Sequence, residues 1–132
     1  MEIDIIEKAN TNYIGKNVIY YKEIDSTHIQ AKRLSKQHIR NGSIVIAEHQ
    51  NAGIGTKGRA WHTGDENIAM SILLYPNCKI EQLEGLTVKI AEIIKETIWQ
   101  LYQITLEIKK PNDLLLNGKK ISGILTRQCL ER

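Results

Sequence analysis

Two short segments hold the residues whose types and spacing could do chemistry. The first is Lys109-Lys110-Pro111-Asn112-Asp113, followed at once by Asn117-Gly118-Lys119-Lys120-Ile121-Ser122-Gly123-Ile124-Leu125. Four lysines, an Asn-Asp pair and glycines are an unusual way to build a hairpin unless anions sit against it. The amide of Asn112 and the carboxylate of Asp113 suit a sugar hydroxyl, a base edge or a hydrated Mg²⁺. Gly123, inside a strand pattern, marks close approach of a ligand or of another backbone. The second segment is Gly53-Ile54-Gly55-Thr56-Lys57-Gly58-Arg59-Ala60-Trp61. Its glycines let backbone N–H groups approach an anion, Lys57 and Arg59 add charge, and Trp61 adds a flat face. It is neither a Walker loop, since no Gly-Lys-Ser/Thr ends it, nor a dinucleotide fingerprint. Together the two segments predict a site for a phosphorylated, negatively charged ligand. Taken singly, each also reads as ordinary chain: a surface loop, a β-turn and a solvated strand lysine.

The elements that must position these residues follow from periodicity. Val18–Tyr21 is a short β-branched and aromatic strand. Thr27 and Gln30 have capping-box spacing, so a helix is predicted from there to about Ile39, closed by a left-handed Asn41-Gly42. Ser43–Glu48 reads as a buried strand, and residues 49–66 as a long functional loop. Ile68, Met70, Ile72 and Leu74 alternate into a strand that ends at Pro76. Apolar residues recur at helical spacing over 81–102. Ile104, Leu106 and Ile108 alternate into the lysine segment, and Asn117-Gly118 is a strong hairpin signal. Lys120 is an even number of residues before Ser122 and Ile124 and an odd number before Gly123, so parity alone leaves its face open. Strands and helices in this order predict an α+β fold, with a mixed, largely antiparallel sheet and helices on one face.

Composition narrows the function class. At 132 residues the chain is read as one domain, 1–132, with enough length to bury a core. The net charge of +3 is mild and Phe is absent, which argues against a dedicated nucleic-acid binder. Cys78 and Cys129, and His28, His38, His49 and His62, form no metal-ligand spacing. The acidic start has no apolar leader and no run reaches a membrane span, so the expectation is a cytoplasmic protein with no membrane partner.

The same residues carry a resemblance. Asp25-Ser26-Thr27 before a helix, Ala47-Glu48-His49-Gln50 entering the glycine loop, the Gly-x-Gly-x-x-Gly-Arg-x-Trp skeleton, Lys-x-Pro-Asn-Asp and Lys-Ile-Ser-Gly-Ile-Leu occur in that order over about 18–126. They are similar to the catalytic domain of biotin protein ligases, whose fold is class II aminoacyl-tRNA synthetase-like. The resemblance implies ATP-dependent ligation of biotin to a lysine of a biotin carboxyl carrier protein through biotinyl-AMP, with Mg²⁺. Lys120 and Lys109 would be catalytic. Ser26, Thr27, His28, Gln50, Gly53, Ile54, Gly55, Thr56, Lys120 and Gly123 would contact biotin. Lys57, Gly58, Arg59, Trp61, Asn112 and Asp113 would serve the nucleotide, with Asp113 the candidate for the metal. The implied partner is the carrier domain of acetyl-CoA or pyruvate carboxylase.

Departures from the family pattern are specific. Arginines are common in the family where Ile54 and Thr56 stand, and His28 replaces an asparagine. The chain also stops six residues after Thr126, where the family adds sheet, so a domain incomplete at its C-terminus is expected. With no room for a helix-turn-helix before Val18, no DNA partner is expected, and a homodimer stays open. The alternatives are a lipoate-type ligase and a truncated biotin- or nucleotide-binding module without turnover.

Overall fold

The computed structural model describes residues 2–129, which form two compact units: one of the residues up to Pro76 together with Cys129, and one of Asn77–Gln128. Among the described residues no helix is long and apolar enough to cross a membrane.

The first unit opens with a short helix, α1 (Ile3–Glu7), and is built on β1 (Val18–Ile24), α2 (Thr27–Ser35), β2 (Ile44–Gln50) and β3 (Ala69–Ile72). The strands form one sheet in the order β1-β2-β3. β1 and β2 are parallel, as a strand–helix–strand crossover allows, and β3 returns antiparallel to β2. The β-branched run Ile44-Val45-Ile46 is buried at the centre of the sheet. Val45 packs with Ala31 and Leu73, backed by Tyr21, Leu34 and Ile39, so α2 covers this face.

Helix α2 departs from the predicted limits at both ends. Its N-cap is Ser26, not Thr27: Ser26 Oγ accepts the Ile29 N–H at 3.3 Å from extended backbone. Gln30, predicted to close a capping box, instead donates to the Tyr21 hydroxyl at 2.9 Å. The helix ends at Ser35, whose hydroxyl turns back to the Lys32 carbonyl, and His38 already has a φ of 53°. Gly42, at φ +82°, is therefore not the helix cap. It lies where the N-terminal arm passes, and a Cβ there would sit 2.7 Å from the Tyr13 carbonyl oxygen.

The alternating residues of β3 also have a face that the sequence did not disclose. Ala69, Ser71 and Leu73 point toward α2, whereas Ile68 and Met70 are 75% and 50% exposed.

In the second unit a 3₁₀ turn at Ile80–Leu83 precedes α3 (Leu86–Tyr102), so the long helix starts later than its periodicity predicted. Then come β4 (Glu107–Lys109), β5 (Asp113–Leu116) and β6 (Lys119–Gly123), an antiparallel meander. Ala91 on α3 packs with Leu106 and Leu114, with Ile94, Ile98, Ile108, Leu116 and Ile124 around them. The Lys110–Pro111 bond is cis. Asn117 and Gly118 both have positive φ, 51° and 77°, the requirement of a type I′ hairpin turn. The α+β class holds; the strands are shared between two three-stranded sheets, one mixed and one antiparallel.

Candidate functional site

The turn from β1 into α2 is held by charge. The Arg33 guanidinium grips Asp25 with two contacts, at 2.7 and 3.2 Å, and the Ser26 N–H donates to Asp25 Oδ1 at 2.7 Å. These bonds, Arg33 first, hold the Asp25 carboxyl below its ordinary pKa against a small opposing effect of burial. Ser26 and Thr27 are thereby fixed at the helix N-terminus, both buried, with His28 next along the helix.

Thr27 meets the end of β2. Gln50 Oε1 accepts from the Thr27 N–H at 2.8 Å and from the Thr27 hydroxyl at 3.2 Å. The Thr27 hydroxyl also lies 3.0 Å from Ser71 Oγ, and Gln50 Nε2 donates to Thr63 at 3.1 Å. Gln50, Gly53, Trp61 and Thr63 line a cleft of about 310 Å³.

The glycine loop is a tight hairpin rather than an open cradle. Ile54 bridges Ala60, the Gly55 N–H donates to the Arg59 carbonyl at 2.6 Å, and the Arg59 N–H donates to the Thr56 carbonyl at 3.2 Å. The Trp61 N–H donates to the Gly53 carbonyl at 2.8 Å. Three N–H groups of the loop are thus used internally. Gly53 answers a need of the chain itself, because a Cβ would collide with the Trp61 carbonyl oxygen. Lys57 and Gly58, both at positive φ, form the tip, with Lys57 and Arg59 exposed and Thr56 half-buried.

In the second unit, strand register decides which side chains share a face. Lys109 pairs with Asp113, and Asp113 pairs with Gly123, so these three form one row across the sheet. The two-residue turn sets Lys120 opposite Leu115, two residues on from Asp113 and so on the same face. Between Leu114 and Leu115 the register shifts, because Ile121 is an extra residue in β6. This bulge brings Gly123, rather than Ser122, opposite Asp113, and resolves the parity that the sequence left open. Lys120 Nζ then lies 2.9 Å from Asp113 Oδ1. That oxygen is buried, and the ammonium meets it as an ion pair. Asn112 is half-buried, and its carbonyl accepts the Ile124 N–H at 2.9 Å.

Residues 20–132 match the model of the Biotin/lipoate A/B protein ligase family. The chain belongs to that family. It is 35% identical over 131 residues to the bifunctional ligase/repressor BirA of Bacillus subtilis, covering 98% of this chain and 40% of the relative. It is 33% identical over 110 residues to the biotin–[acetyl-CoA-carboxylase] ligase of Paracoccus denitrificans, covering 76% of this chain and 42% of that one. Its fold is similar to that of the Aquifex aeolicus biotin protein ligase in complex with biotin and ATP, at a TM-score of 0.68 and 31% identity, over 86% of this chain and 47% of that one. A Leishmania major ligase in complex with biotinyl-5-AMP gives a TM-score of 0.72 at 25% identity, over 83% and 51%. The chain spans about two-fifths of the length of these curated relatives.

Sequence reasoning missed Arg33, Thr63 and Ser71. A signal existed for Ser71: it is the polar residue in phase with Ala69 and Leu73 on a strand whose other face is apolar.

Proposed function

We propose that this chain carries the chemistry of a biotin protein ligase: ATP-dependent activation of biotin and its transfer to a lysine of a biotin carboxyl carrier domain, such as that of acetyl-CoA or pyruvate carboxylase. The observation that carries this reading is the shared face of Lys109, Asp113, Lys120 and Gly123, set by the type I′ turn and the Ile121 bulge. A fold that uses a turn and a bulge to align two lysines with one carboxylate and a glycine is suited to two reacting anions.

In the first step a biotin carboxylate oxygen attacks the α-phosphorus of ATP. The bond from that phosphorus to the bridging oxygen breaks, and pyrophosphate leaves. Two unit charges 4 Å apart repel by about 4 kcal/mol at an effective dielectric near 20. Lys120 is assigned to the carboxylate and the α-phosphate, where its ammonium offsets that repulsion and stabilises the charge that develops. Lys109, in the same row, is assigned to the phosphates, and Asn112 and Asp113 to the nucleotide. In the second step the carrier lysine amine attacks the acyl carbon of biotinyl-AMP, an amide forms and AMP departs. The hairpin from Gly53 to Trp61, with Ile54, Gly55, Thr56, Lys57, Gly58 and Arg59, is assigned to shielding the anhydride from water. Ser26, Thr27, His28 and Gln50 are assigned to the biotin head group.

Mg²⁺ fits this arrangement as a companion of the nucleotide. Among the described residues no cluster of three acidic, His or Cys groups could cage it. Mg²⁺ needs only one or two carboxylates beside phosphates and water, and Asp113, whose Oδ1 already meets the Lys120 ammonium, is the carboxylate in this row of the sheet. When bound it would neutralise phosphate charge. The reaction draws on ATP, and this reading places it in the cytoplasm.

The test is biotin-dependent exchange of labelled pyrophosphate into ATP by the 132-residue chain, with lipoate as the competing acid. Exchange with biotin supports the ligase reading. Exchange with lipoate alone makes the chain a lipoate-type ligase. Tight biotin binding without exchange makes it a binding module, a reading favoured by the uncharged Ile54 and Thr56.

A further inference from the structure

We propose that Glu107 is the docking residue for the carrier lysine, its carboxylate meeting the ammonium of that lysine as the carrier domain approaches. The inference rests on the ligase reading above and names a residue that lies outside the sequence motifs.

Strand register puts Glu107 on the reacting face. It pairs with Leu115, and Leu115 pairs on its other side with Lys120. These three form a second row beside Lys109, Asp113 and Gly123. Two strand spacings, about 10 Å, separate the backbones of Glu107 and Lys120. Asp113 on this face is engaged with Lys120. Glu107 is exposed and, among the described residues, makes no ion pair and no side-chain hydrogen bond, although Lys109 stands two residues away on the same side of β4.

The first step gives this carboxylate no task. Biotin and ATP are both anions, and a negative charge beside Lys109 repels the phosphates assigned to that lysine. Nor does packing need it, because Ala91, Leu106 and Leu114 meet on the opposite face of the sheet. The second step brings a cation. The carrier lysine arrives as an ammonium on a four-carbon stem, and it must reach an acyl group held among cations that repel it. β4 is an edge strand of its sheet, where a second protein can approach. A free carboxylate at that edge attracts the ammonium and offsets the repulsion from Lys109 and Lys120. Glu107 takes no part in bond making. The ammonium gives its proton to solvent, the amine attacks the acyl carbon, the amide forms and AMP leaves.

The experiment compares the parent chain, Glu107→Gln and Glu107→Lys, each supplied with biotin and ATP. Transfer to the biotin carboxyl carrier domain of acetyl-CoA carboxylase is measured beside trapping of biotinyl-AMP by hydroxylamine, a nucleophile that is uncharged at neutral pH. Glu107→Gln is expected to raise the KM for the carrier about fivefold, the upper end for an exposed ion pair, with kcat unchanged. Glu107→Lys should raise it further. The parent's advantage should shrink as added salt screens exposed charges. Hydroxamate formation should be equal in all three proteins. An unchanged carrier KM in both variants would overturn the proposal and leave Glu107 a solvated edge charge. Equal losses with carrier and with hydroxylamine would overturn it as well, by showing a structural effect. Either of those results leaves the ligase reading standing. A parent that activates biotin but transfers none to the carrier overturns the proposal and confines the ligase reading to its first step. A parent that forms no biotinyl-AMP removes both.

Discussion

Lys120 Nζ and Asp113 Oδ1 are 2.9 Å apart, although the two residues lie on neighbouring strands and are not register partners. Their meeting depends on the hairpin turn, which puts Lys120 opposite Leu115. Asp113 thus holds the ammonium over one face of the sheet, beside Gly123.

Lys120→Ala is expected to lower biotin-dependent pyrophosphate exchange by about 100- to 1000-fold, the usual cost of removing one charged stabiliser of the reacting anions. Stability should also fall, by about 1–3 kcal/mol, because the lysine is 41% exposed but the Asp113 oxygen it meets is buried and is left without its cation. Exchange kinetics and urea denaturation measure the two effects separately. A rate within a fewfold of the parent would remove Lys120 from the chemistry.

Gly118→Ala tests the turn rather than the charge. At φ +77° an added Cβ is strained, and the left-handed conformation costs roughly 1–2 kcal/mol for a residue with a side chain. Denaturation should show a loss of that size. Since the turn sets the pairing of Lys120, exchange activity per folded molecule should fall as well. A variant as stable as the parent would contradict the type I′ geometry.

The sequence told more about elements than about faces. The hairpin was legible because Asn-Gly is among the few pairs that suit two successive positive φ values, and α3 because its apolar stripe is long. The cap of α2 shifted from Thr27 to Ser26, since both hydroxyls suit the position and only the strand exit angle chooses between them. Parity could not place Lys120 and Gly123 on one face, because a bulge is a tertiary event that repeats of two do not encode. The glycine loop read as an anion cradle by composition. In the fold several of its N–H groups close the hairpin on itself, and Gly53 makes room for Trp61.

Asp25 makes acid stability testable. Its carboxyl pKa is lowered in the folded chain by Arg33 and the Ser26 N–H. A group depressed on folding contributes stability above its unfolded pKa, and that contribution is lost as pH falls through the folded value. Asp25→Asn should therefore be less stable than the parent at pH 7. The gap should narrow as pH drops below about 4, the ordinary carboxylate range. Urea denaturation of both proteins from pH 7 to about 3 measures it. A gap that is constant with pH would mean that packing, not charge, links Asp25 to Arg33.

Thr56→Arg asks whether the loop lacks charge. Thr56 opens the 3₁₀ turn at the hairpin tip, where its carbonyl is already tied to the Arg59 N–H, so its side chain can change without opening the loop. Lys57 and Arg59 flank the position, and both are exposed. A third cation there raises repulsion in the free protein and gains an anionic partner only when the adenylate is bound. One charge-assisted hydrogen bond contributes roughly 1.5–3 kcal/mol, which corresponds to about 10- to 150-fold in dissociation rate. Release of biotinyl-AMP, followed by stopped-flow fluorescence of Trp61, should slow by a factor in that range. Hydrogen exchange of residues 53–61 should slow in parallel with biotin and ATP present, and should be unchanged or faster without them. An adenylate that leaves the variant as fast as the parent would show that the hairpin tip does not touch the phosphate.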